Sequence, residues 1–189
     1  MITRISALLV TCLFLSFSTW AQKPEETQKR LGKDLYEKVK GQLSFFPYDS
    51  SFRVKALYDP SITKNEPLQF LTSEGSSTYF MEFGTLRFTL KEKSYQLKLY
   101  RPWPIQLINR YQIFLPFRDE SAKQETYPAG RYLPLTMDEF QEDGIWLDFN
   151  QAVNPLCAYD SSYACPLPPQ DNHLKVKILA GEKRPISTP

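Results

Sequence analysis

The N-terminal part of the chain alternates apolar and charged residues with the spacing of an α-helix. Between positions 25 and 40, four apolar residues recur at steps of three and four among charged ones: Leu31, Leu35, Tyr36 and Val39. Gly41 follows, at a place where a helix commonly ends. The pattern predicts one amphipathic helix within an N-terminal segment of residues 22–43.

From position 44 onward the period of the apolar residues changes to two. In residues 52–58, for example, Phe52, Val54 and Tyr58 fall on one face, while Arg53 and Lys55 fall on the other. The segments with strand character are 52–58, 67–72, 78–83, 86–90, 95–99, 110–117, 131–135, 144–150 and 174–180. A polar turn joins 86–90 to 95–99, which predicts a hairpin.

About nine short strands with turn residues between them indicate a mainly β protein. We therefore expect an antiparallel β-sandwich or partly open barrel with one N-terminal helix. The β-rich domain is predicted over residues 44–183, and residues 184–189 are expected to form a C-terminal tail.

The first 21 residues have the pattern of a secretory signal peptide. Arg4 supplies a positive start, residues 7–17 are almost entirely apolar, and Ala21 is a small residue suited to cleavage. Cys12 raises lipid attachment as an alternative, which Thr11 before it disfavours. An apolar run this short does not reach the roughly 20 residues of a membrane span, so no membrane span is predicted. The protein is expected to be exported, periplasmic or secreted, after cleavage near Ala21.

Composition and charge narrow the class of protein further. The 189-residue chain without this leader has about 168 residues, the size of one domain. Its 23 Lys and Arg residues nearly balance 21 Asp and Glu residues, which argues against binding to nucleic acid. A hydrophobic share of 42% suffices for a packed core, and 15 Pro against 7 Gly favours strands and rigid loops.

Polar and aromatic side chains concentrate in loop-rich stretches between residues 117 and 183. The motifs are F-R-D at 117–119, T-Y-P-A-G-R-Y-L at 126–133, D-F-N-Q-A-V-N-P at 148–155, C-A-Y at 157–159, C-P-L-P-P-Q-D-N at 165–172 and A-G-E-K at 180–183. In this order they resemble the domain of unknown function 1684 family, a family of uncharacterised bacterial and archaeal proteins.

The resemblance covers most of the chain after the leader. The matching positions are Arg118, Asp119, Thr126, Tyr127, Gly130, Arg131, Tyr132, Asp148, Asn150, Asn154, Cys157, Tyr159, Cys165, Pro168 and Asn172. His173 departs from the pattern, in which an Arg-like residue is expected beside the asparagine. The resemblance implies no particular activity.

A polar pocket for a small ligand is the preferred functional hypothesis. Its candidate residues are Arg118, Asp119, Tyr127, Arg131, Asp148, Asn150, Asn154 and Asn172. Arginine forks suit a carboxylate or phosphate, and the other side chains can orient a small anionic or sugar-like ligand. The alternative is that the same residues form ion pairs and turn caps, with Gly130 supplying an unusual backbone angle.

Two further functions remain open. A hydrolase would use Asp148 or Asp119 as general base, and a glycoside hydrolase would pair two carboxylates from among Asp119, Asp148 and Glu182. With His173 as the one histidine and no nucleophile turn, a Ser-His-Asp arrangement is disfavoured. No Gly-rich phosphate loop occurs, and no cofactor is predicted.

The third function is a structural or envelope-interaction domain. Trp103, between two prolines, suggests either an exposed platform for a sugar ring or partner, or a plug at the end of the β core. An exposed apolar patch near Trp103, together with polar side chains bonded only among themselves, would favour the interaction domain.

Cys157 and Cys165 are separated by seven residues and are predicted to form a disulfide, because an exported protein meets an oxidising compartment. A metal site that adds His173 and either Asp171 or Asp160 is a weaker alternative, since the spacing differs from that of common zinc sites. Unpaired structural thiols are the third possibility. No metal site is therefore proposed from the sequence.

Overall fold

A computed structural model describes residues 24–141 and 143–186 of the chain. The predicted leader at 1–21 lies outside the described residues. The N-terminal segment forms two short helices, α1 (Pro24–Leu31) and α2 (Lys33–Val39), followed by a 3-10 turn at Lys40–Gln42. The predicted single helix is divided at Gly32, whose φ of 77° is left-handed and interrupts the helical hydrogen bonding.

Eight strands in the described part of the chain form one sheet. They are β1 (Arg53–Asp59), β2 (Leu68–Leu71), β3 (Ser77–Leu90), β4 (Lys93–Trp103), β5 (Gln112–Asp119), β6 (Arg131–Thr136), β7 (Ile145–Asp148) and β8 (His173–Leu174). Their order is β6-β5-β4-β3-β1-β7, with β2 also pairing β3 and β8 pairing β5. All pairings are antiparallel except that of β5 with β8. The predicted mainly β, antiparallel architecture is confirmed.

The sheet curls into a nearly closed barrel. β6 and β7 stand at opposite ends of the strand order, and the chain after β7 returns to β6. There Tyr132 and Val153 exchange two backbone hydrogen bonds of 2.9 Å each. This bridge joins the two ends of the sheet and reduces the open edge that β6 would otherwise present.

The barrel interior confirms the alternation seen in the sequence. Its buried apolar residues include Leu86, Phe88, Leu90, Leu97, Leu99, Ile113, Leu115, Phe117, Leu133, Leu135, Leu147 and Phe149. The predicted hairpin is β3 and β4, joined by Lys91 and Glu92, both with positive φ as in the tight turns that suit twisted strands. Smaller clusters lie outside the barrel, one of them formed by Phe70, Phe80 and Tyr100.

Two segments differ from the predicted strands. Residues 78–83 and 86–90 belong to one strand, β3, with a register shift between Glu82 and Gly84. The predicted strand at 174–180 is wrong beyond Leu174, because the strand β8 contains only His173 and Leu174. Side chains of β5 and β6 take up much of the backbone hydrogen bonding of the residues that follow.

Among residues 24–141 and 143–186, six further 3-10 turns occur, at Ser50–Phe52, Glu120–Lys123, Met137–Glu139, Phe149–Gln151, Leu156–Ala158 and Gln170–Asn172. No helix in the described part of the chain has the length and apolar character needed to cross a bilayer.

Gly130, just before β6, tests how tightly the motif loops pack. Its φ is +97°, and an added Cβ would lie 2.6 Å from the Phe117 carbonyl oxygen and 2.7 Å from Pro168 Cγ. We expect Gly130→Ala to lower the free energy of unfolding by about 2 kcal/mol or more, since both the backbone angle and the space are unsuitable. Urea denaturation measures the change.

The matched control is Gly41→Ala, because nothing lies within 4 Å of a Cβ added at Gly41. That substitution is expected to leave the protein unchanged or to stabilise it by up to about 1 kcal/mol. Equal stabilities for the two variants would contradict this account of Gly130.

Candidate functional site

Arg131 and Asp119 form a buried ion pair at one end of the barrel. Arg131 is 1% exposed, and its Nη2 lies 3.3 Å from Asp119 Oδ1. The same guanidinium donates to three backbone carbonyls, those of Ile178 (2.9 Å), Glu182 (3.1 Å) and Ala180. Burial lowers the pKa of Arg131, and Asp119 counteracts that effect by attraction and hydrogen bonding. All of these partners belong to the protein itself.

Asp119 also uses both of its carboxylate oxygens inside the protein. Oδ2 accepts from the backbone N–H of Ile178 at 2.7 Å, and from both the N–H (3.1 Å) and the hydroxyl (2.5 Å) of Ser121. Asp119 and Arg131 therefore bond the backbone of the C-terminal segment in the way a neighbouring strand would. This explains why residues 175–180 lack strand pairing although their apolar residues alternate.

Glu182 anchors the N-terminal helices to the same end of the barrel. Its side chain is fully buried and accepts from Arg30 of α1, from Tyr159 Oη at 2.8 Å and from the backbone N–H of Asn154 at 2.7 Å. Burial raises the pKa of Glu182, and attraction to Arg30 works in the opposite direction. All of these donors belong to the protein, so Glu182 acts here as a structural hydrogen-bond acceptor.

Two of the three predicted asparagines act as substitutes for a backbone partner. Asn150 accepts from the N–H of Asp49 at 3.0 Å and donates to its carbonyl at 2.9 Å. Asn172 bonds Lys98 in the same two-sided way, at 2.8 and 2.9 Å, and donates to the Pro116 carbonyl at 2.7 Å. Each amide thereby joins a loop to a distant part of the chain.

Asn154 and Asp148 also bond to nearby groups of the protein. Asn154 Nδ2 donates to the Lys183 carbonyl at 2.8 Å and to Tyr159 Oη at 3.1 Å, while its buried Oδ1 has no hydrogen-bond partner within the described chain. Asp148 Oδ1 caps the 3-10 turn after β7 by accepting from the backbone and side-chain N–H groups of Asn150.

Arg118 and Tyr127 lie apart from this network. Arg118 is exposed on β5 and neighbours the buried Asp119, so strand alternation separates it from Arg131. Tyr127 is half-buried, with its hydroxyl 3.5 Å from the Cys157 carbonyl, and burial raises its pKa to about 12. The structure therefore does not bring the two predicted arginines together. None of the eight predicted residues lines the four cavities described for residues 24–141 and 143–186.

A different cavity, of about 220 Å³, contains a buried carboxylate that the sequence reasoning missed. It is lined by Thr63, Lys64, Leu68, Gln69, Phe70, Glu82, Lys98, Tyr100, Pro169 and Asp171. Glu82 is 5% exposed, and its Oε2 accepts from the Thr63 hydroxyl at 2.7 Å. Within the described residues no donor bonds its buried Oε1. Such an oxygen is costly unless something else uses it.

Lys98 lies between two carboxylates in this cavity. Its Nζ is 3.2 Å from Asp171 Oδ2 and 3.9 Å from Glu82 Oε1. Burial raises the pKa of Tyr100, and Asp171 and Glu82 raise it further. The cavity thus combines a lysine, two carboxylates and a neutral phenol, and we name it the Glu82 cavity.

The bulge in β3 explains why Glu82 escaped notice. Glu82 has the same even numbering as Leu86 and Phe88, so uninterrupted alternation would place it in the barrel core. The register shift between Glu82 and Gly84 reverses the facing, as β-bulges do. The sequence does contain a sign of this bulge. Glu82 occupies a position that the alternation assigns to the core, and a glycine, Gly84, follows two residues later in the same strand.

The two cysteines are close but not bonded in this structure. The N–H of Cys157 donates to Cys165 Sγ at 3.0 Å, and both thiols are free. Burial raises the pKa of the Cys165 thiol to about 12 from its usual 9.0.

His173 Nε2 lies 3.3 Å from the Pro168 carbonyl oxygen. Nowhere in the described ranges do three His, Cys, Asp or Glu side chains group as metal ligands.

Trp103, the other feature singled out in the sequence, is 48% exposed at the end of β4. The structure therefore does not make it a buried plug of the core.

Comparison with known proteins places the chain in a family. The family model described as Protein of unknown function (DUF1684) matches residues 41–183. The chain belongs to this family. A DUF1684 assignment agrees with the resemblance of the C-terminal motifs, and no curated protein matches the sequence.

One similar solved structure is the solution NMR structure of an uncharacterized protein from Haloarcula marismortui. It shares 30% sequence identity with this DUF1684 protein, and the match covers 84% of this chain and 95% of that chain with a TM-score of 0.58. The likeness supports the fold and carries no activity.

The two motif arginines provide a matched test of the buried network. Arg131→Lys is expected to lower the free energy of unfolding by about 3 kcal/mol, because lysine cannot reach Asp119 and three carbonyls in one fork. Arg118→Lys, at an exposed position two residues before the 3-10 turn at Glu120–Lys123, should change it by less than about 0.5 kcal/mol. Urea denaturation measures the free energy of unfolding of both variants. Similar losses of this free energy in the two variants would contradict the structural role of Arg131.

The cysteine pair provides a test of oxidation. We expect protein purified without reductant to contain a Cys157–Cys165 disulfide, which intact mass and thiol titration detect. Closing this nine-residue loop should stabilise the fold by about 2.6 kcal/mol. Two titratable thiols after complete air oxidation would contradict the prediction.

The reduced protein should also show a distinct pH dependence. The Cys165 pKa is raised in the folded state, so its contribution to stability is complete below pH 9 and is lost as the pH rises towards 12. The disulfide form has no thiol to ionise. A smaller loss of stability over this pH range in the oxidised protein is therefore the expected result.

Proposed function

We propose that this DUF1684 protein binds a small polyhydroxylated, sugar-like ligand in the Glu82 cavity. The observation that carries the proposal is the nearly buried Glu82 carboxylate, one oxygen of which has no hydrogen-bond donor among the described residues. A ligand hydroxyl would supply that donor. Buried polar groups left unpaired in a native fold often mark functional positions.

The remaining lining groups suit a neutral polyol. Lys98 and the Gln69 amide are hydrogen-bond donors, and Asp171 at the more exposed side is an acceptor. Leu68 and Phe70 supply apolar surface beside these polar groups. Because two carboxylates already surround Lys98, an anionic ligand is less favoured than a neutral one.

The family motif at 165–172 contributes to the same cavity. Pro169 and Asp171 belong to this segment and line the cavity, while the adjacent Asn172 bonds the backbone of Lys98 on both sides. In this proposal the predicted residue Asn172 positions the lysine without touching the ligand. The proposal keeps the function predicted from the sequence, binding of a small ligand. It moves the binding site from the arginine motifs to β3 and β4.

The hydrolase alternative has less support. Asp119 accepts from Arg131, Ser121 and Ile178, and Asp148 caps a turn, so both candidate general bases are engaged in structural hydrogen bonds. A general base needs access to the proton it removes.

Glu82→Gln tests the proposal. We expect saturable binding of at least one compound from a panel of glycerol, glucose, galactose and N-acetylglucosamine, measured by titration calorimetry and ligand-observed NMR. Glu82→Gln should weaken that binding at least about tenfold, because a charged acceptor contributes roughly 1.5–3 kcal/mol to a hydrogen bond. No saturable binding to the unaltered protein, or equal affinity in the variant, would overturn the proposal.

The matched control is Glu66→Gln, at an exposed position outside the cavity. It removes the same charge and should leave the affinity unchanged. Glutamine at position 82 keeps an acceptor for Thr63, so the thermal unfolding of Glu82→Gln should remain cooperative and confirm that the variant folds.

A further inference from the structure

The loop between β4 and β5 exposes an unusual concentration of apolar side chains. Leu107 and Ile108 are 83% and 86% exposed, and Trp103, Ile105 and Tyr111 are 48%, 43% and 58% exposed. Single exposed apolar residues are common on soluble proteins, whereas contiguous ones mark interaction sites. We name residues 103–111 the apolar loop.

Internal hydrogen bonds hold the tip of this loop in shape. The N–H of Gln106 donates to Asn109 Oδ1 at 2.8 Å, and the N–H of Asn109 donates to the Gln106 carbonyl at 3.1 Å. Leu107 and Ile108 therefore occupy the centre of a closed turn, where glycine, asparagine and proline are the usual residues. The turn needs neither aliphatic side chain for its own hydrogen bonds, so their presence calls for another explanation.

The side chains are graded along the loop. The aliphatic pair is at the tip, and the aromatic Trp103 and Tyr111 are at the two ends. Arginines also flank the base, where Arg101 Nη2 donates to the Arg110 carbonyl at 2.7 Å and the Arg110 guanidinium lies 4.5 Å from the Tyr111 ring centre. The chemical character of a bilayer changes in the same order from its interior outwards, from acyl chains through the interface to the phosphates.

We propose that the apolar loop inserts into the interfacial region of a lipid bilayer, with Leu107 and Ile108 among the upper acyl chains. Trp103 and Tyr111 then lie at the headgroup level, and the arginines lie near the phosphates. A highly exposed tip with this order of side-chain types fits a layered lipid surface better than a protein groove, which imposes no such order.

Local charge indicates that apolar area, more than lipid charge, drives this contact. The N–H of Met137 donates to the Tyr111 carbonyl at 3.0 Å, which places the exposed Asp138 and Glu139 beside the base of the loop. Because Asp138 follows Met137 and Arg110 precedes Tyr111, the base of the loop carries charges of both signs. Binding is therefore expected on neutral as well as anionic vesicles and to depend weakly on salt.

Trp103 itself provides the measurement. In the full chain with Trp20→Phe and Trp146→Phe, Trp103 is the sole tryptophan. Its fluorescence then reports the surroundings of the apolar loop, without a contribution from a tryptophan in the N-terminal segment. With phosphatidylcholine vesicles, and with vesicles that also contain phosphatidylglycerol, we expect a blue shift of its emission and quenching by lipids brominated near the headgroup. Adding Leu107→Asp and Ile108→Asp should abolish both effects.

The control pair is Leu57→Asp and Leu71→Asp, at positions 65% and 60% exposed on other strands. These changes should preserve the shift and the quenching. Circular dichroism checks that each variant keeps its β structure. Unchanged emission of Trp103 on both vesicle types, or a shift that survives the loss of Leu107 and Ile108, would overturn the proposal. Since the apolar loop lies outside the Glu82 cavity, neither result bears on sugar binding.

Discussion

The buried ion pair of Asp119 and Arg131 is the interaction on which the C-terminal part of this fold depends. Residues 176–183 cross the end of the barrel, and Ile178 and Ala180 fill part of its core. Their backbone would leave polar groups unpaired there without the Arg131 fork and the Asp119 carboxylate. Two charged side chains neutralise each other while acting together as a surrogate strand.

The same segment continues into a second buried carboxylate. Glu182 ties Arg30 of the N-terminal helix, Tyr159 and the backbone of Asn154 to one point. Removing one member of such a network leaves the others buried and unpaired, so its energetic effect exceeds that of any single hydrogen bond. Several motif residues, among them Asp119, Arg131, Asn154 and Glu182, thus join separate segments of the chain at one end of the barrel.

The Glu82 cavity, the proposed binding site, lies on the outer face of the sheet. The β3 bulge divides a single strand into a part that faces Phe70 and Tyr100 and a part that fills the barrel. Glu82 is thereby buried beside Phe70, Tyr100 and Lys98, where its seclusion from water strengthens any hydrogen bond it makes. Pro169 and Asp171 of the family motif at 165–172 line the proposed cavity, and Asn172 of the same motif bonds Lys98 on β4 and Pro116 on β5.

By itself, the sequence determined the β-rich class, the period-two core positions, the β3–β4 hairpin and membership in the family, because these depend on local alternation, turn residues and motif order. It also identified the polar motif residues, but only tertiary structure decided their partners. The sequence does not distinguish Arg118 from Arg131, yet Arg118 lies on the exposed face of β5 and Arg131 is buried. The strand at 174–180 failed because side chains from β5 and β6 replaced a backbone partner. Glu82 stayed hidden because one extra residue in a strand reverses every facing after it, a change that alternation within a single segment does not reveal.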